Sequence, residues 1–217
     1  MVGMDLESYI KRPIGRNFMQ ALMRKGETTR QRIVARTADL LNTQGYRVTP
    51  VSQIMRVAGL QKGGIYRHFE SRDALTLEAF EFAVTRVWNR FQQAIEGRKT
   101  AKDKLFALFE VVRHARREKA FHGGCPVMNL AVESDDADPQ LRNAARRAMR
   151  QVIGLFEQTI AEGMKSGEFV KGDARAHARR IVASLEGAIL MTNLYKDDSY
   201  IVAVVDHLEQ GARRGLR

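Results

Sequence analysis

A chain of 217 residues of which 44% are hydrophobic can bury a core of its own, and this composition excludes a disordered protein. No run of about 18 uncharged apolar residues occurs, so the sequence predicts no membrane span, and the N-terminus lacks the apolar stretch of a secretory signal. The single cysteine, Cys125, excludes an intramolecular disulfide and fits a reducing compartment, so we expect a cytoplasmic protein.

Positive charge is concentrated in the first third of the chain. The net charge is +11, and residues 1–72 hold 13 Lys and Arg against 5 Asp and Glu, whereas the rest holds 23 against 20. A concentrated basic region favours a polyanionic partner, and double-stranded DNA is the usual one. The alternative is a basic, solvated surface without a partner.

Helical periodicity runs through almost the whole chain, and we find no convincing alternating strand, so we expect an all-α protein. Residues 1–27 are predicted to form a basic extension. Nine helices are expected after it, over residues 29–43, 49–58, 62–69, 72–96, 102–117, 126–133, 139–166, 173–195 and 199–213. Ser71 and Asp138 are predicted to cap the helices that follow them, and Gly59 is predicted to end the second helix.

The second and third predicted helices, with the turn between them, form a helix-turn-helix pattern. The third would contain Gly63 and Gly64, which each cost about 1 kcal/mol of helix propensity but let the backbone approach phosphates and base edges. Lys62 would reach a guanine edge, and Tyr66 and His68 would reach phosphates or base edges. The alternative for the last two is a half-buried aromatic pair without a ligand.

The motifs within residues 29–75 resemble those of the DNA-binding domain of the TetR regulators. They are Ile-Met at 54–55, Ala-Gly at 58–59, Gly-Gly at 63–64, Tyr-Arg-His-Phe at 66–69 and Ser-Arg-Asp-Ala-Leu at 71–75. Two positions depart from that family's pattern: Met55 replaces the usual Ala, which affects packing, and Gln61 replaces a frequent Ser, which affects operator sequence.

This resemblance implies a helix-turn-helix DNA-binding domain over residues 28–72 and a helical ligand-binding and dimerisation domain over residues 73–217. It also implies which side chains face an operator in double-stranded DNA. They are Thr49, Val51, Ser52, Gln61, Lys62, Gly63, Gly64, Tyr66 and His68, with Arg72 on a phosphate. In a two-fold dimer the operator would be roughly palindromic.

The resemblance further places a homodimer interface on the last two helices and an effector pocket among helices four to seven. The apolar stripes expected at the interface are Ile181, Leu185, Ala188, Ile189, Ile201, Val204, Val205 and Leu208. The side chains expected to line the pocket are Trp88, Phe91, Phe106, Phe109, Cys125, Met128, Phe156 and Met164. Such a lining favours an apolar or aromatic small molecule, and ordinary core packing is the alternative for each residue.

Cys125 precedes a helix whose dipole can lower a thiol pKa, so one hypothesis is a thiol sensor for oxidants or electrophiles. The alternative, which we favour, is a small apolar residue at a glycine-rich turn. His122 and Cys125 alone do not make a metal site, and we expect no metal and no cofactor. The sequence has no Walker loop, G-x-S-x-G, H-E-x-x-H or dinucleotide fingerprint, so we expect no enzyme.

We therefore expect a DNA-binding transcription regulator, a repressor that a small effector releases from its operator. Two alternatives stay open: the same fold regulated through Cys125, and a constitutive architectural DNA-binding protein without an effector. In the basic extension, Lys11, Arg12 and Arg16 would form an arm that reaches the minor groove or adjacent phosphates, and the alternative is a disordered tail.

Overall fold

The computed structural model describes residues 29–61, 64–134 and 138–216, and these residues are all-helical, as the sequence predicts. Lys11, Arg12, Arg16, Lys62 and Gly63 lie outside them. Eight α-helices are present in the described residues: α1 (Thr29–Gln44), α2 (Val51–Ala58), α3 (Arg72–Ile95), α4 (Ala101–Arg113), α5 (Pro126–Ser134), α6 (Pro139–Ser166), α7 (Ala174–Tyr195) and α8 (Ser199–Arg213).

The predicted caps have local physical causes and are confirmed. Ser71 begins α3, since its hydroxyl oxygen accepts a hydrogen bond from the Ala74 amide at 3.0 Å. Asp138 does the same for α6 by accepting from the amides of Gln140 and Leu141. Gly59 ends α2 in the left-handed conformation, with φ of 69°. Short-range chemistry therefore sets these helix ends.

The predicted third helix is wrong in its described part. Residues 64–69 contain only a single 3₁₀ turn, Ile65–Arg67, in which Ile65 O accepts from the amides of His68 and Phe69 at 2.9 Å. Glycine has a low helix propensity, and so short a segment gains too few hydrogen bonds to offset the cost of starting a helix. We call this turn the reading turn, after the DNA contacts that the resemblance implies for it. The helix predicted over 102–117 likewise ends early, at Arg113.

The helices form two packed groups that share α3. α1 and α2 pack with the reading turn around buried apolar side chains, among them Ile33, Ile54 and Ile65, and we call this group the head. In the second group α6 packs along α7, α7 packs against α8, and α8 also contacts α4. None of the described helices is long and apolar enough to cross a membrane.

Candidate DNA-binding surface and effector domain

The head exposes polar and basic side chains around its small core. Ser52 near the start of α2 and Gln61 after its end are exposed, and Val51 and His68 are half-buried. Tyr66 in the reading turn is 59% exposed, so the expected alternative of a half-buried side chain does not describe it. The exposed polar side chains among these residues are accessible from solvent without any rearrangement of the core.

Two further arginines of the head are accessible from solvent and were not among the predicted DNA contacts. Arg56 on α2 and Arg67 in the reading turn are both exposed. The basic excess of residues 1–72 is the signal in the sequence that could have indicated these two arginines. Exposed arginines near a helix-turn-helix pattern are available to phosphates. The surface is therefore more basic than the predicted set of residues.

Gly64 has a reason within the protein itself. A Cβ atom added there would lie 3.0 Å from Gln61 O and 3.2 Å from Leu60 Cβ, both of which are close contacts. The Gly64 amide also donates to Gln61 O at 2.9 Å. Close packing of the turn thus gives Gly64 a reason that does not require DNA, whereas the sequence interpretation favoured a close approach to DNA.

Thr49 does not agree with its predicted place at the DNA surface. The residue is 2% exposed, and its hydroxyl donates to Gly45 O at 2.6 Å. A buried hydroxyl needs a hydrogen-bond partner, and Gly45 O supplies it. The bond joins the two ends of the turn between α1 and α2. Its position just before α2 therefore reflects a structural role.

Arg72, for which a phosphate contact is predicted, has contacts within the protein. Its Nη2 atom lies within hydrogen-bond distance of three carbonyl oxygens, those of Tyr46 at 2.7 Å, Arg47 at 3.0 Å and Thr49 at 3.1 Å. The guanidinium group thereby ties the turn between α1 and α2 to the first residue of α3. These contacts use only Nη2, and the phosphate contact stays a prediction.

The large aromatic residues predicted for the effector pocket mostly fill one another's space. Phe91, Phe109 and Phe156 are buried, with the Phe109 and Phe156 rings stacked at 6.2 Å and the Phe91 and Phe156 rings edge to face at 6.3 Å. Trp88, Met128, Phe106 and Met164 are half-buried. Core packing, the alternative for these residues, describes the three buried rings in this structure.

A ligand-sized groove lies elsewhere, between the end of α3 and α4. Its volume is about 750 Å³, and Phe106 is the one predicted pocket residue among those that line it. The lining residues are Arg90, Gln93, Ala94, Glu96, Gly97, Arg98, Asp103, Phe106, Ala107, Glu110, Val111 and His114. Charges of both signs line this groove, which differs from the apolar lining that the sequence predicted.

Cys125 is buried, and its thiol donates to Glu186 Oε1 on α7 at 3.1 Å. Burial raises the pKa of this thiol well above its ordinary value, and the neighbouring Glu186 carboxyl raises it further. The backbone amides at the start of α5 lower the pKa, but burial outweighs them, so the predicted helix-dipole effect is overruled. No cluster of three potential metal ligands occurs among the described residues.

The apolar stripes assigned to the dimer interface face the interior of the protomer. Six of these residues, Ile181, Leu185, Ala188, Ile189, Ile201 and Val205, are buried, and Val204 and Leu208 are half-buried. The large apolar side chains that α7 and α8 expose are Leu190 at 56%, Leu194 at 66%, Tyr195 at 57% and Val202 at 37%. We call these four residues the exposed apolar face.

Comparison with known proteins gives one consistent result. The model of the bacterial regulatory proteins of the tetR family matches residues 33–79, and the model of the tetracyclin repressor-like C-terminal domain matches residues 101–208. A crystal structure of a TetR transcriptional regulator from Chloroflexus aurantiacus is 37% identical, with a TM-score of 0.82 over 87% of this chain and 96% of that one.

Two curated relatives agree. An uncharacterised HTH-type transcriptional regulator of Mycobacterium tuberculosis is 28% identical over 77% of this chain and 86% of the relative. The HTH-type transcriptional repressor NemR of Escherichia coli is 22% identical over 64% of this chain and 70% of the relative. All of these similarities point to one class of protein.

Proposed function

Because this chain belongs to the TetR family of bacterial transcriptional regulators, we propose that it is a homodimeric repressor that binds a palindromic operator and leaves it when a small effector binds. The exposed donors of the head carry the proposal. A side chain such as Tyr66 that the protein does not cover, beside exposed arginines, suits a polar and negatively charged partner.

The DNA contacts divide into two kinds. Gln61 and Tyr66 at the reading turn, with Ser52 on α2, would meet base edges or nearby phosphates. Arg56 and Arg67 would bind phosphates, which adds affinity without sequence preference. Lys62 and Gly63, outside the described residues, remain in the proposed contact set because they lie between Gln61 and Gly64 in the chain.

The exposed apolar face supports the homodimer. Leu190 and Leu194 are one turn apart on α7, and Ala183 and Gly187 continue the same stripe towards its N-terminus as small, exposed residues. Small residues let two helices approach closely, and large apolar ones lose water when a second copy covers them. A two-fold pair would then present two heads to one side of DNA, about 34–36 Å apart.

The groove between α3 and α4 is the proposed effector site. Its lining includes the apolar side chains of Phe106 and Val111 and the charged side chains of Arg90, Arg98 and Glu110. Such a lining suits a small molecule with an aromatic or apolar body and polar groups. An effector that binds better to a dimer with misaligned heads would shift the population away from the DNA-bound form. The naming of one relative as a repressor supports this direction of control.

Selection from a random duplex library tests the DNA-binding part of the proposal. The purified protein at physiological salt should enrich one palindromic sequence, and Gln61→Ala should relax the base preference at one position of each half-site. Gln158→Ala, at an exposed position on α6, is the matched control and should leave the sequence unchanged. Enrichment no greater than that of bulk DNA would instead support the architectural alternative.

A further inference from the structure

Two asparagines join the head to the C-terminal helices, one of them buried and the other half-buried. Asn42, at the end of α1, is 4% exposed, and its Nδ2 donates to His122 O at 2.7 Å and Gly124 O at 3.1 Å. Asn129 on α5 returns the contact, because its Nδ2 lies 3.0 Å from Asn42 Oδ1 and 3.1 Å from both Asn42 O and Gly123 O. The Asn42 side chain thus contacts residues 122–124 and α5, and the Asn129 side chain contacts both α1 and Gly123.

Glu133, one turn further along α5, adds a second attachment. Its two carboxylate oxygens accept from the backbone amides of Tyr46 at 3.0 Å and Arg47 at 2.9 Å. These amides belong to the turn that follows α1. We call Asn42, Asn129 and Glu133 the latch.

The backbone at Gly123 comes unusually close to the end of α1. A Cβ atom at Gly123 would lie 2.5 Å from Asn42 O, and the residue has φ of 89°, which side chains rarely adopt. The loop of residues 122–124 therefore rests directly on the end of α1. Apolar contacts tolerate sliding, whereas hydrogen bonds weaken steeply when their angle changes, so this contact fixes an orientation.

The same loop is also attached to α7. The Cys125 thiol donates to Glu186, and a Cβ atom at Gly124 would lie 2.9 Å from Asn193 Nδ2. Glu186 and Asn193 are both on α7, which also carries Leu190 and Leu194 of the exposed apolar face. A continuous series of contacts thus leads from the head, through residues 122–125, to the helix proposed to meet the partner subunit.

We propose that Asn42 and Asn129, with Glu133, are positioning residues that fix the angle of the head relative to α7 and so set which half-site spacing the dimer accepts. This inference rests on the proposed function, since spacing has meaning only for a dimer on two half-sites. One added base pair rotates the second half-site by about 35°, so spacing preference measures how firmly the angle is held. The latch residues lie outside the proposed DNA contact set, so they should affect spacing and leave base preference unchanged.

The test compares Asn129→Asp with the wild-type protein on a library in which the two half-sites are separated by spacers that differ by one base pair. The substitution keeps the shape but removes the donated hydrogen bonds and places a carboxylate oxygen against three oxygens. Asn143→Asp, the same change at an exposed position on α6, is the control. Circular dichroism and dimer mass establish that each variant is folded.

We expect the ratio of binding between the best spacing and its neighbours to fall at least about fivefold in Asn129→Asp, with the half-site sequence unchanged. Glu133→Gln, which keeps one acceptor oxygen, is the second variant and should give a smaller fall. An unchanged ratio in folded variants would overturn the inference and leave the proposed function standing. If neither variant folded, the residues would belong to stability alone, and the positioning role would be overturned.

A wild-type protein that enriches no paired half-sites would give a different result. It would overturn the proposed function, and this inference with it. The wild-type result and the variant result therefore distinguish the two failures.

Discussion

The head and the C-terminal helices differ in the kind of surface that each leaves uncovered. Tyr66, Arg67 and Arg56 are the prominent exposed side chains of the head, whereas Leu190 and Leu194 are prominent on α7. Polar and cationic groups suit a hydrated polyanion, and an apolar helix face suits a second protein surface that excludes water. In both regions, residues that are buried or bonded within the protein are poor candidates for contacts with a partner, even when their residue type suits such contacts.

Breaking the apolar side of this contrast should have the largest effect. Leu190→Asp would place a charge from each subunit into an apolar interface, where an unpaired charge is costly. The variant should become monomeric and lose operator affinity at least about 100-fold, because one head alone keeps few contacts. Analytical ultracentrifugation and a binding titration measure the two effects.

Val170→Asp is the control for that experiment. Val170 is also 56% exposed, but it lies outside α7 and α8, so the variant should stay dimeric. A dimeric Leu190→Asp protein would show that the exposed apolar face is not the interface.

Arg72→Ala separates the internal use of a polar residue from its use on DNA. Loss of the contacts to three carbonyl oxygens should lower the free energy of unfolding by about 1–3 kcal/mol, as measured by urea denaturation. Arg146→Ala, at an exposed position on α6, should leave stability unchanged. Unchanged stability together with a weaker salt dependence of DNA binding would instead return Arg72 to the phosphate role.

Arg67→Ala tests the polar surface of the head and should have a smaller effect. The variant should lose about tenfold in affinity for any DNA sequence, and the slope of log affinity against log salt should fall by about 1, because one phosphate contact is gone. The measurement is a binding titration at several salt concentrations. A changed base preference with an unchanged slope would assign Arg67 to base recognition instead.

Glu186→Gln should have the smallest effect. Glu186 is a buried polar residue and lies neither on the exposed surface of the head nor on the exposed apolar face. Burial raises the pKa of the Glu186 carboxyl, so the folded state binds its proton more tightly than the unfolded state does. The wild-type protein should therefore lose stability as pH rises from about 4.5, the ordinary value, through the folded-state pKa, and the variant should lose less. Denaturation at several pH values tests this. Glu70→Gln, at an exposed position, should keep the wild-type dependence.

Sequence reasoning succeeded where causes are local. The caps at Ser71 and Asp138 depend on amides two or three residues away, and the helix-turn-helix pattern occupies a short continuous stretch. The reading turn was predicted as a helix because periodicity does not record the cost of starting one next to Gly64. Local patterns thus predicted the class of fold and most helix ends.

Long-range contacts explain what the sequence did not predict. Arg72 contacts carbonyl groups more than 20 residues away, and Cys125 meets Glu186, which is 61 residues distant. Asn42 and Asn129 were not singled out at all, since two asparagines 87 residues apart form no motif. α7 is apolar on more than one face, so periodicity found its stripes but could not tell which of them the protomer buries.

The close approach at Gly123 bears on how this protein can be re-engineered. Exchanging DNA-recognition modules between regulators assumes that the cut near residue 72 separates independent parts. Here the transplanted module would need a carboxamide at the position of Asn42. The end of its first helix would also have to pack against Gly123 so closely that a Cβ atom there would lie 2.5 Å from the carbonyl oxygen at position 42. A graft would therefore have to include residues 122–133 along with the recognition module, so the exchangeable unit is discontinuous in the chain.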